Sequence, residues 1–361
     1  MADSRDRIAQ LRTALDGADN DLVKALDARA RAVRELAAIK EAEPQAFVQL
    51  PTTSEVVARL REVRRDFPAS ALEAVVREVL SASAEMIAPV KVAVVGPPGG
   101  FAHAAAREQF GSRAVIEVRD TVGDVFASIE RHGAAYGVVP LETSSDGTLF
   151  ATLSGLAAGR AKITAERTLR GEYHLFSKTG NAGDVEKIYG SAAALAATGR
   201  ALKAEFARAP QLDMQSGLMA AALAAEDHGA AAVGPDFLGD LHGLRIVRRN
   251  LEDDTNLTLR FVVLGTDSPR RTGRDRTMLA LMLGEEPGSL YAALQPFAER
   301  GINLTRLESR RVAGESLGEL FFVELDGHVS DRPVLTAIEE VKAKSRTVRI
   351  LGSYPRPSAE G

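Results

Sequence analysis

The N-terminal segment carries the pattern that most restricts the fold of this chain. Between Asp3 and Ala42, apolar side chains recur at spacings of three, four or seven residues, with no proline and a single glycine. That period is typical of one long amphipathic helix. A helix of about 40 residues extends about 60 Å, too far for a compact bundle built from one short chain segment. We therefore predict that it packs against a second copy of the chain, in a homodimer or a dimer of dimers.

Three cations fall on or near the apolar stripe of this helix. Arg29 lies within the apolar series, and Lys40, eleven residues later, is rotated from it by only about 20°. Arg12 lies close to the same face. One such cation is explained by snorkelling or by pairing with an acid of a partner chain. Three cations together predict a site for an anionic ligand in the interior of the bundle.

The periodicity changes after the helices. Residues 54–65 and 69–87 continue the helical pattern, but from Lys91 onward short β-branched runs alternate with helical patterns, which indicates α/β layers. A polar linker, residues 266–276, precedes a βαββα order and a last strand, which predicts a small α+β sandwich. The predicted fold class is therefore multidomain, α then α/β then α+β, with domains at residues 1–90, 91–267 and 275–356.

Composition excludes several functional classes. The chain has no cysteine, which rules out disulfides and thiolate metal sites and fits a reducing compartment. Its net charge of −4 lacks the excess of positive charge that favours binding to nucleic acid or to an anionic membrane surface. The charged N-terminus does not resemble a signal peptide, and no stretch reaches the roughly 20 apolar residues of a membrane span. Sequence motifs for binding dinucleotides or ATP, or for acyl-enzyme chemistry, are missing. We expect a cytoplasmic protein without cofactor or metal that binds small anionic molecules.

The cations of the first helix lie in segments with a known counterpart. Leu11-Arg12, Leu26-Asp27-Ala28-Arg29 and Ile39-Lys40 resemble the first helix of the all-helical chorismate mutases. The resemblance implies a helical bundle over about residues 5–87 in which Arg12, Arg29 and Lys40 bind chorismate and stabilise charge on its ether oxygen. The chain departs from that family at Gln49–Thr53, where an acid is usual, and at Ile87, where a glutamine or glutamate is usual unless Glu85 takes its place.

Three later segments, residues 96–102, 136–147 and 256–264, resemble the motifs of prephenate dehydratases in family order. The resemblance implies a two-lobed α/β domain whose cleft removes water and carbon dioxide from prephenate. The candidate catalytic residues carried over are Glu142, Thr143, Ser144 and Arg260. The family's hydroxyl residues are replaced by Gly100 and Ala102, its asparagine by Thr143 and its catalytic threonine by Leu259. Thr258, one residue earlier, is expected to face the opposite side of its strand unless a bulge intervenes.

Two C-terminal segments, residues 286–291 and 301–311, resemble the phenylalanine-binding ACT domain, with Arg311 in place of the usual proline. The resemblance implies that Gly288 lets backbone amides approach a carboxylate, while Asn303 and Glu308 hold an ammonium group at a dimer interface. The effector-binding residues that it implies are Gly288, Ser289, Leu290, Asn303, Leu304, Glu308, Ser309 and Arg310.

Three functions fit this sequence. The domain order favours an enzyme that converts chorismate to prephenate and prephenate to phenylpyruvate, with phenylalanine as effector. The missing hydroxyl and acid groups favour a catalytically impaired relative that binds an amino acid and regulates a partner. Altered chemistry on prephenate is the third possibility.

Overall fold

The computed structural model describes residues 2–43, 53–145, 147–312 and 318–357. Its internal contacts form two compact units, Met1–Val90 with Phe110–Val115, and Lys91–Gln109 with Ile116–Gly361. Within the described ranges, no helix is both long enough and apolar enough to cross a membrane.

The first unit is helical, as predicted. It contains α1 (Ala2–Ala42), α2 (Thr53–Val63) and α3 (Ala69–Glu85). α2 and α3 pack together through Val57, Val76 and Leu80. Among the described side chains of α1, only Val33 is buried, and Leu15 is 64% exposed. The apolar stripe of α1 is therefore left largely uncovered by its own chain.

The remaining helices are short. They are α4 (Phe101–Phe110), α5 (Val122–Glu130), α6 (Phe150–Ala158), α7 (Ala192–Ala197), α8 (Gly199–Glu205), α9 (Gly217–Glu226), α10 (Phe237–His242), α11 (Ser289–Glu299) and α12 (Arg332–Lys344).

The strands form two sheets. They are β1 (Lys91–Val95), β2 (Val115–Arg119), β3 (Tyr136–Thr143), β4 (Gly147–Thr148), β5 (Lys162–Arg170), β6 (His174–Ser177), β7 (Lys187–Ser191), β8 (Gln211–Met214), β9 (Ala230–Gly234), β10 (Arg245–Arg248), β11 (Thr258–Gly265), β12 (Asp275–Met282), β13 (Leu304–Val312), β14 (Gly318–Asp326) and β15 (Thr347–Pro355).

The centre of the first lobe is formed by β1, β3 and β11. β1 pairs in parallel with β3, and β11 lies antiparallel between β3 and β5. Val92, Ala93 and Val94 have no exposed surface, as expected of a continuous apolar run in a parallel strand. Because β1 and β3 are parallel, the glycine-rich turn after β1 and the polar residues at the end of β3 lie at the same edge of the sheet.

The second lobe is inserted between β5 and β11 in the sequence. Its sheet has the order β10-β6-β9-β7-β8. A core formed by Leu175, Ile188, Leu202 and Val233 fills this lobe. The two lobes predicted for the α/β region are therefore present.

The C-terminal strands follow the predicted order, βαββα with a final strand. They align as β13-β14-β12-β15, and the sheet packs against α11 and α12 through residues such as Leu281, Phe297, Val323 and Ile338. The predicted linker ends earlier than expected, because β12 already begins at Asp275.

The C-terminal strands continue the sheet of the first lobe. β15 pairs in parallel with β5, Gly352 opposite Ile163, so that the C-terminal strands and the first lobe share one sheet. A Cβ atom on Gly352 would lie 2.4 Å from the carbonyl oxygen of Ile163, so only glycine permits this approach. Met278, Phe322 and Tyr354 complete a core with the first lobe.

Candidate active sites and effector strand

Arg29 lies against α3 in the helical unit. Its guanidinium hydrogen-bonds the hydroxyl of Ser83 and approaches the carbonyl oxygen of Val79 at 3.5 Å. Burial lowers the pKa of Arg29 below its ordinary value. Ser83 is itself buried and donates to the carbonyl oxygen of Val79 at 2.6 Å. Arg29 is therefore a partly buried cation whose position is fixed by α3.

Ser83 is a polar residue that the sequence reasoning missed. It follows the buried residues Val76 and Leu80 at helical spacing, so a hydroxyl on an otherwise apolar face was the available signal. Ile87 lies in the turn after the end of α3 at Glu85. Glu85 is turned elsewhere, with its carboxylate 3.8 Å from Nε of Arg113.

Arg12 and Arg29 of one chain lie far apart along α1. Arg12 is exposed and is 17 residues from Arg29, which corresponds to about 25 Å along a helix. The side chain of Lys40 and residues 44–52, which include Thr52, lie outside the described parts of the structure. Within a single chain, the described site contains Arg29 and Ser83.

The end of β3 places its candidate residues on opposite faces. Glu142 pairs with Arg260 of β11, and Thr143 pairs with Leu259. Successive residues of a strand point to opposite sides, so Glu142 and Arg260 share one face while Thr143 and Leu259 share the other. Relative to β3, the register of β11 shifts between Arg260 and Phe261. Relative to β5, β11 keeps a regular register from Thr258 to Val263. Thr258 therefore faces away from Leu259.

The hydroxyl of Ser144 is occupied by backbone groups. It donates to the carbonyl oxygen of Asn256 at 3.2 Å and accepts from the amide of Thr258 at 3.0 Å. Thr143 and Ser145 have their hydroxyl oxygens 3.1 Å apart. Ser144 thus fixes the β3 end to the start of β11, and Thr143 contributes a hydroxyl on the opposite face from Glu142.

The glycine-rich turn after β1 contacts the second lobe. The amide of Leu218, at the start of α9, approaches the carbonyl oxygen of Pro98 at 3.4 Å. Gly99 has a φ of +83°, and a Cβ atom there would lie 2.6 Å from the amide nitrogen of Leu218. Glycine is required at this position by both the backbone conformation and the close approach.

His103 of α4 is a second polar residue that the sequence reasoning missed. Its Nδ1 accepts a hydrogen bond from the amide of Gly99 at 3.3 Å, and its ring lies 5.3 Å from that of Phe237 in the second lobe. Burial and the nearby Arg107 lower the pKa of His103 to about 4. The imidazole is therefore neutral at pH 7, with its proton on Nε2. Its position three residues after the glycine-rich turn was the available signal.

Arg260 joins a buried ionic cluster beneath the end of β3. Its Nε lies 2.8 Å from Glu166, and its Nη2 lies 2.7 Å from Glu324 of β14. The side chains of these two acids are 0% and 1% exposed. Arg276 adds a contact of 2.7 Å to Glu166. This cluster bridges the first lobe and the C-terminal strands.

The charges in the cluster stabilise one another. Burial works against the charge of Arg260, but Tyr354, Glu166 and Glu324 raise its pKa above the ordinary value. Burial likewise works against the charge of Glu324, but Arg260 and Thr305 hold its pKa below the usual range. The hydroxyl of Tyr354 donates to Glu324 at 3.3 Å. The pairing therefore favours the charged forms of Arg260 and Glu324.

One face of β13 contacts the first lobe. Arg306 forms a salt bridge with Glu142 and hydrogen-bonds the hydroxyl of Thr148. Glu308 accepts a hydrogen bond of 2.7 Å from Thr148. Arg310 approaches Ser154 at 3.3 Å. Two of the predicted effector residues, Glu308 and Arg310, therefore lie beside the motif that carries Glu142.

The other predicted effector residues are spread over both ends of the sheet. Asn303 precedes β13 and donates to Asp326 at 3.3 Å, beside a cavity of about 650 Å³. Its separation from Glu308 by five strand residues corresponds to about 17 Å. Gly288, with a φ of +85°, caps the start of α11, which follows β12 in the chain. One chain therefore does not bring Asn303 and Glu308 onto one small ligand.

Three family models match the chain in order. They are chorismate mutase type II over residues 11–87, prephenate dehydratase over residues 92–269 and the ACT domain over residues 277–343. The bifunctional chorismate mutase/prephenate dehydratase of Aquifex aeolicus is 32% identical, over 97% of this chain and 98% of its own length. The chain belongs to the bifunctional chorismate mutase/prephenate dehydratase family. The resemblance of its helical, α/β and ACT segments to that family is thereby confirmed.

Solved structures agree with the family's fold. The prephenate dehydratase of Arthrobacter aurescens in complex with L-Phe is 28% identical, with a TM-score of 0.61, and the match covers 74% of this chain and 90% of that one. A structure described as a novel type of quorum-quenching acylase is 27% identical with the same TM-score, covering 74% and 98%. The predicted fold class is confirmed. Because proteins with such different described activities share this fold, the chemistry has to be argued from the site residues.

Proposed function

We propose that the chain is an enzyme of phenylalanine biosynthesis that converts chorismate to prephenate in its helical unit and prephenate to phenylpyruvate in its α/β lobes. The observation that carries this proposal is the full-length match to a protein of that description, with the family's three segments in order. A cytoplasmic location, expected from the cysteine-free sequence, is part of the same proposal.

In the helical unit, Arg29 is the anchor for chorismate. The rearrangement needs no nucleophile, so the protein accelerates it by holding the folded dianion and by stabilising charge on the ether oxygen. The contact with Ser83 fixes the guanidinium before substrate arrives. Lys40 is the second cation of this site in the proposal.

Arg12 enters the site from a second copy of the chain. Its distance along α1 removes it from the Arg29 site of its own chain, and the exposed apolar stripe of α1 supplies the surface for an antiparallel pairing of two such helices. In an antiparallel pair that overlaps along the whole of α1, Arg12 of one helix lies opposite about residue 32 of the other, close to Arg29. The proposed assembly is therefore a homodimer or a dimer of dimers.

In the α/β lobes, prephenate loses a carboxylate as carbon dioxide, and the released electron pair forms the aromatic ring as the hydroxyl leaves. The hydroxyl takes up a proton and departs as water. Thr143 is the substrate-facing hydroxyl of β3 in the proposal, and neutral His103 offers Nε2–H beside the glycine-rich turn. Glu142, Ser144 and Arg260 hold the strand ends in place.

Incubation of the purified protein with chorismate, and separately with prephenate, tests both reactions. We expect phenylpyruvate from either substrate at neutral pH, with products separated by chromatography and an active family member as control. Prephenate that accumulates from chorismate without phenylpyruvate would retain the mutase and refute the dehydratase. Both substrates left unchanged would refute the enzyme and favour the amino-acid-binding regulator.

The proposed effector is phenylalanine, bound with its ammonium group on Glu308. Calorimetry of the wild-type protein is expected to give heat with phenylalanine, and Glu308→Gln should weaken binding about 10- to 100-fold because a charge-assisted contact is lost. Glu339→Gln, an equal charge change at an exposed position of α12, should leave the affinity unchanged. Equal affinities for all three proteins would remove Glu308 from the effector site.

A further inference from the structure

Arg306 is in contact with both candidate sites of the second unit. Its guanidinium pairs with Glu142 at the end of β3 and lies 3.6 Å from the carboxylate of Glu308. Thr148 of β4 closes the arrangement, since its hydroxyl accepts from Arg306 and donates to Glu308 at 2.7 Å. Glu142 and Glu308 are therefore joined through one arginine and one hydroxyl.

The burial of these groups makes the contacts interdependent. The side chain of Arg306 is only 11% exposed, whereas Glu142 and Glu308 are 37% and 32% exposed. Its Nε has no hydrogen-bond partner among the described residues, so the terminal nitrogens provide all of its pairing. A mostly buried guanidinium is costly to leave unpaired. Loss of one acidic neighbour therefore strengthens its dependence on the other.

We propose that Arg306 is the residue through which the effector site acts on the dehydratase site. An ammonium ligand captured by Glu308 draws that carboxylate away from Thr148 and Arg306. Arg306 then relies on Glu142 alone, which shifts the β3–β4 hairpin and weakens the 4.0 Å approach of Glu142 to Arg260. Thr143, the next residue along β3, moves with it. This inference rests on the proposed effector role of Glu308, and Arg306 acts in it as a positioning residue.

The same strand offers a matched control. Arg306, Glu308 and Arg310 alternate along β13 toward the first lobe, so Arg311 points to the opposite face and is exposed. Arg306→Gln and Arg311→Gln make the same change in charge on the same strand. Thr148→Val removes only the bridging hydroxyl and leaves no buried charge unpaired, so it serves if Arg306→Gln folds poorly.

Hydrogen exchange of the backbone over residues 141–149, with and without phenylalanine, tests the proposal without relying on turnover. We expect phenylalanine to change exchange there by about threefold or more in the wild type and in Arg311→Gln, but not in Arg306→Gln. Calorimetry should give Arg311→Gln a phenylalanine affinity within about threefold of the wild type, and the exchange response of Arg306→Gln is compared at phenylalanine concentrations that saturate each protein. Inhibition of prephenate turnover should weaken about 10-fold or more in Arg306→Gln and about 3- to 10-fold in Thr148→Val.

Each other outcome is decisive. Phenylalanine binding that leaves residues 141–149 unchanged in the wild type would overturn the coupling while retaining the effector site. So would a wild-type response in both Arg306→Gln and Thr148→Val. Absence of heat with phenylalanine in the wild type would reject the effector assignment and the coupling together. An exchange response in a protein without turnover would support the coupling and count against the proposed dehydratase reaction.

Discussion

Replacing Arg29 with alanine is expected to lower the turnover of chorismate about 100- to 1000-fold. The guanidinium is already held by Ser83 in the interior of the helical unit, so the substrate loses a positioned charge rather than a mobile surface group. Removal of one preorganised donor to a developing negative charge has an effect of this size. The disappearance of chorismate at saturating concentration provides the measurement.

Arg31→Ala is the control for this effect. Arg31 lies on the same helix two residues later and is exposed, so its removal should leave turnover within about twofold. Arg29→Lys retains the charge but not the fork of donors, and it should recover only part of the lost rate. Turnover of Arg29→Ala equal to that of the wild type would show that the helical site has been assigned incorrectly.

Replacing Arg260 with methionine is expected to destabilise the second unit by about 3–5 kcal/mol. The change leaves Glu166 and Glu324 buried, with Arg276 as their remaining ion-pair partner among the described residues, and a broken buried ionic network carries a penalty of this order. Urea unfolding followed by tyrosine fluorescence is the measurement. The chain has five tyrosines and no tryptophan. Since every tyrosine lies beyond residue 135, the signal reports on the second unit alone.

Arg248→Met is the matched control. Arg248 pairs with Glu205 at 2.9 Å, but its side chain is 53% exposed, so the loss of stability should be small beside that of Arg260→Met. The Arg260 effect should also depend on pH. Because Glu324 has a folded-state pKa below its ordinary value, its contribution is present at neutral pH and lost as pH falls through that folded pKa. Equal destabilisation by the two variants would show that the buried cluster has no special role.

Most of the secondary structure was predictable from local sequence patterns. The periodicity from Asp3 to Ala42 predicted α1, and the β-branched run Lys91–Val95 matched β1 at both ends. These assignments succeed because the spacing of apolar residues within a short segment distinguishes a helix from a strand. The sheet shared by β15 and β5 was not predicted, because its pairing joins residues far apart in sequence and depends on the absent side chain of Gly352.

The candidate site was predictable in part. Motifs identified Arg29, Glu142 and Arg260, but the resemblance treated Glu142 and Thr143 as one group. Two consecutive strand residues cannot both face a cleft, so alternation alone indicated that one of them pointed elsewhere. What the sequence did not contain was the partner of Glu142, since Arg306 lies in a different segment and meets it only in the folded chain.

The pairing of β15 with β5 also bears on how such a protein changes over generations. A sensor attached by a tether is easily lost by truncation, which leaves an unregulated enzyme behind. Here, removal of the last strands would uncover the edge of β5 and apolar residues such as Leu153 and Ile163. A truncation that removed feedback would therefore also destabilise the first lobe. Feedback can be lost without unfolding only through substitutions that keep the shared sheet intact.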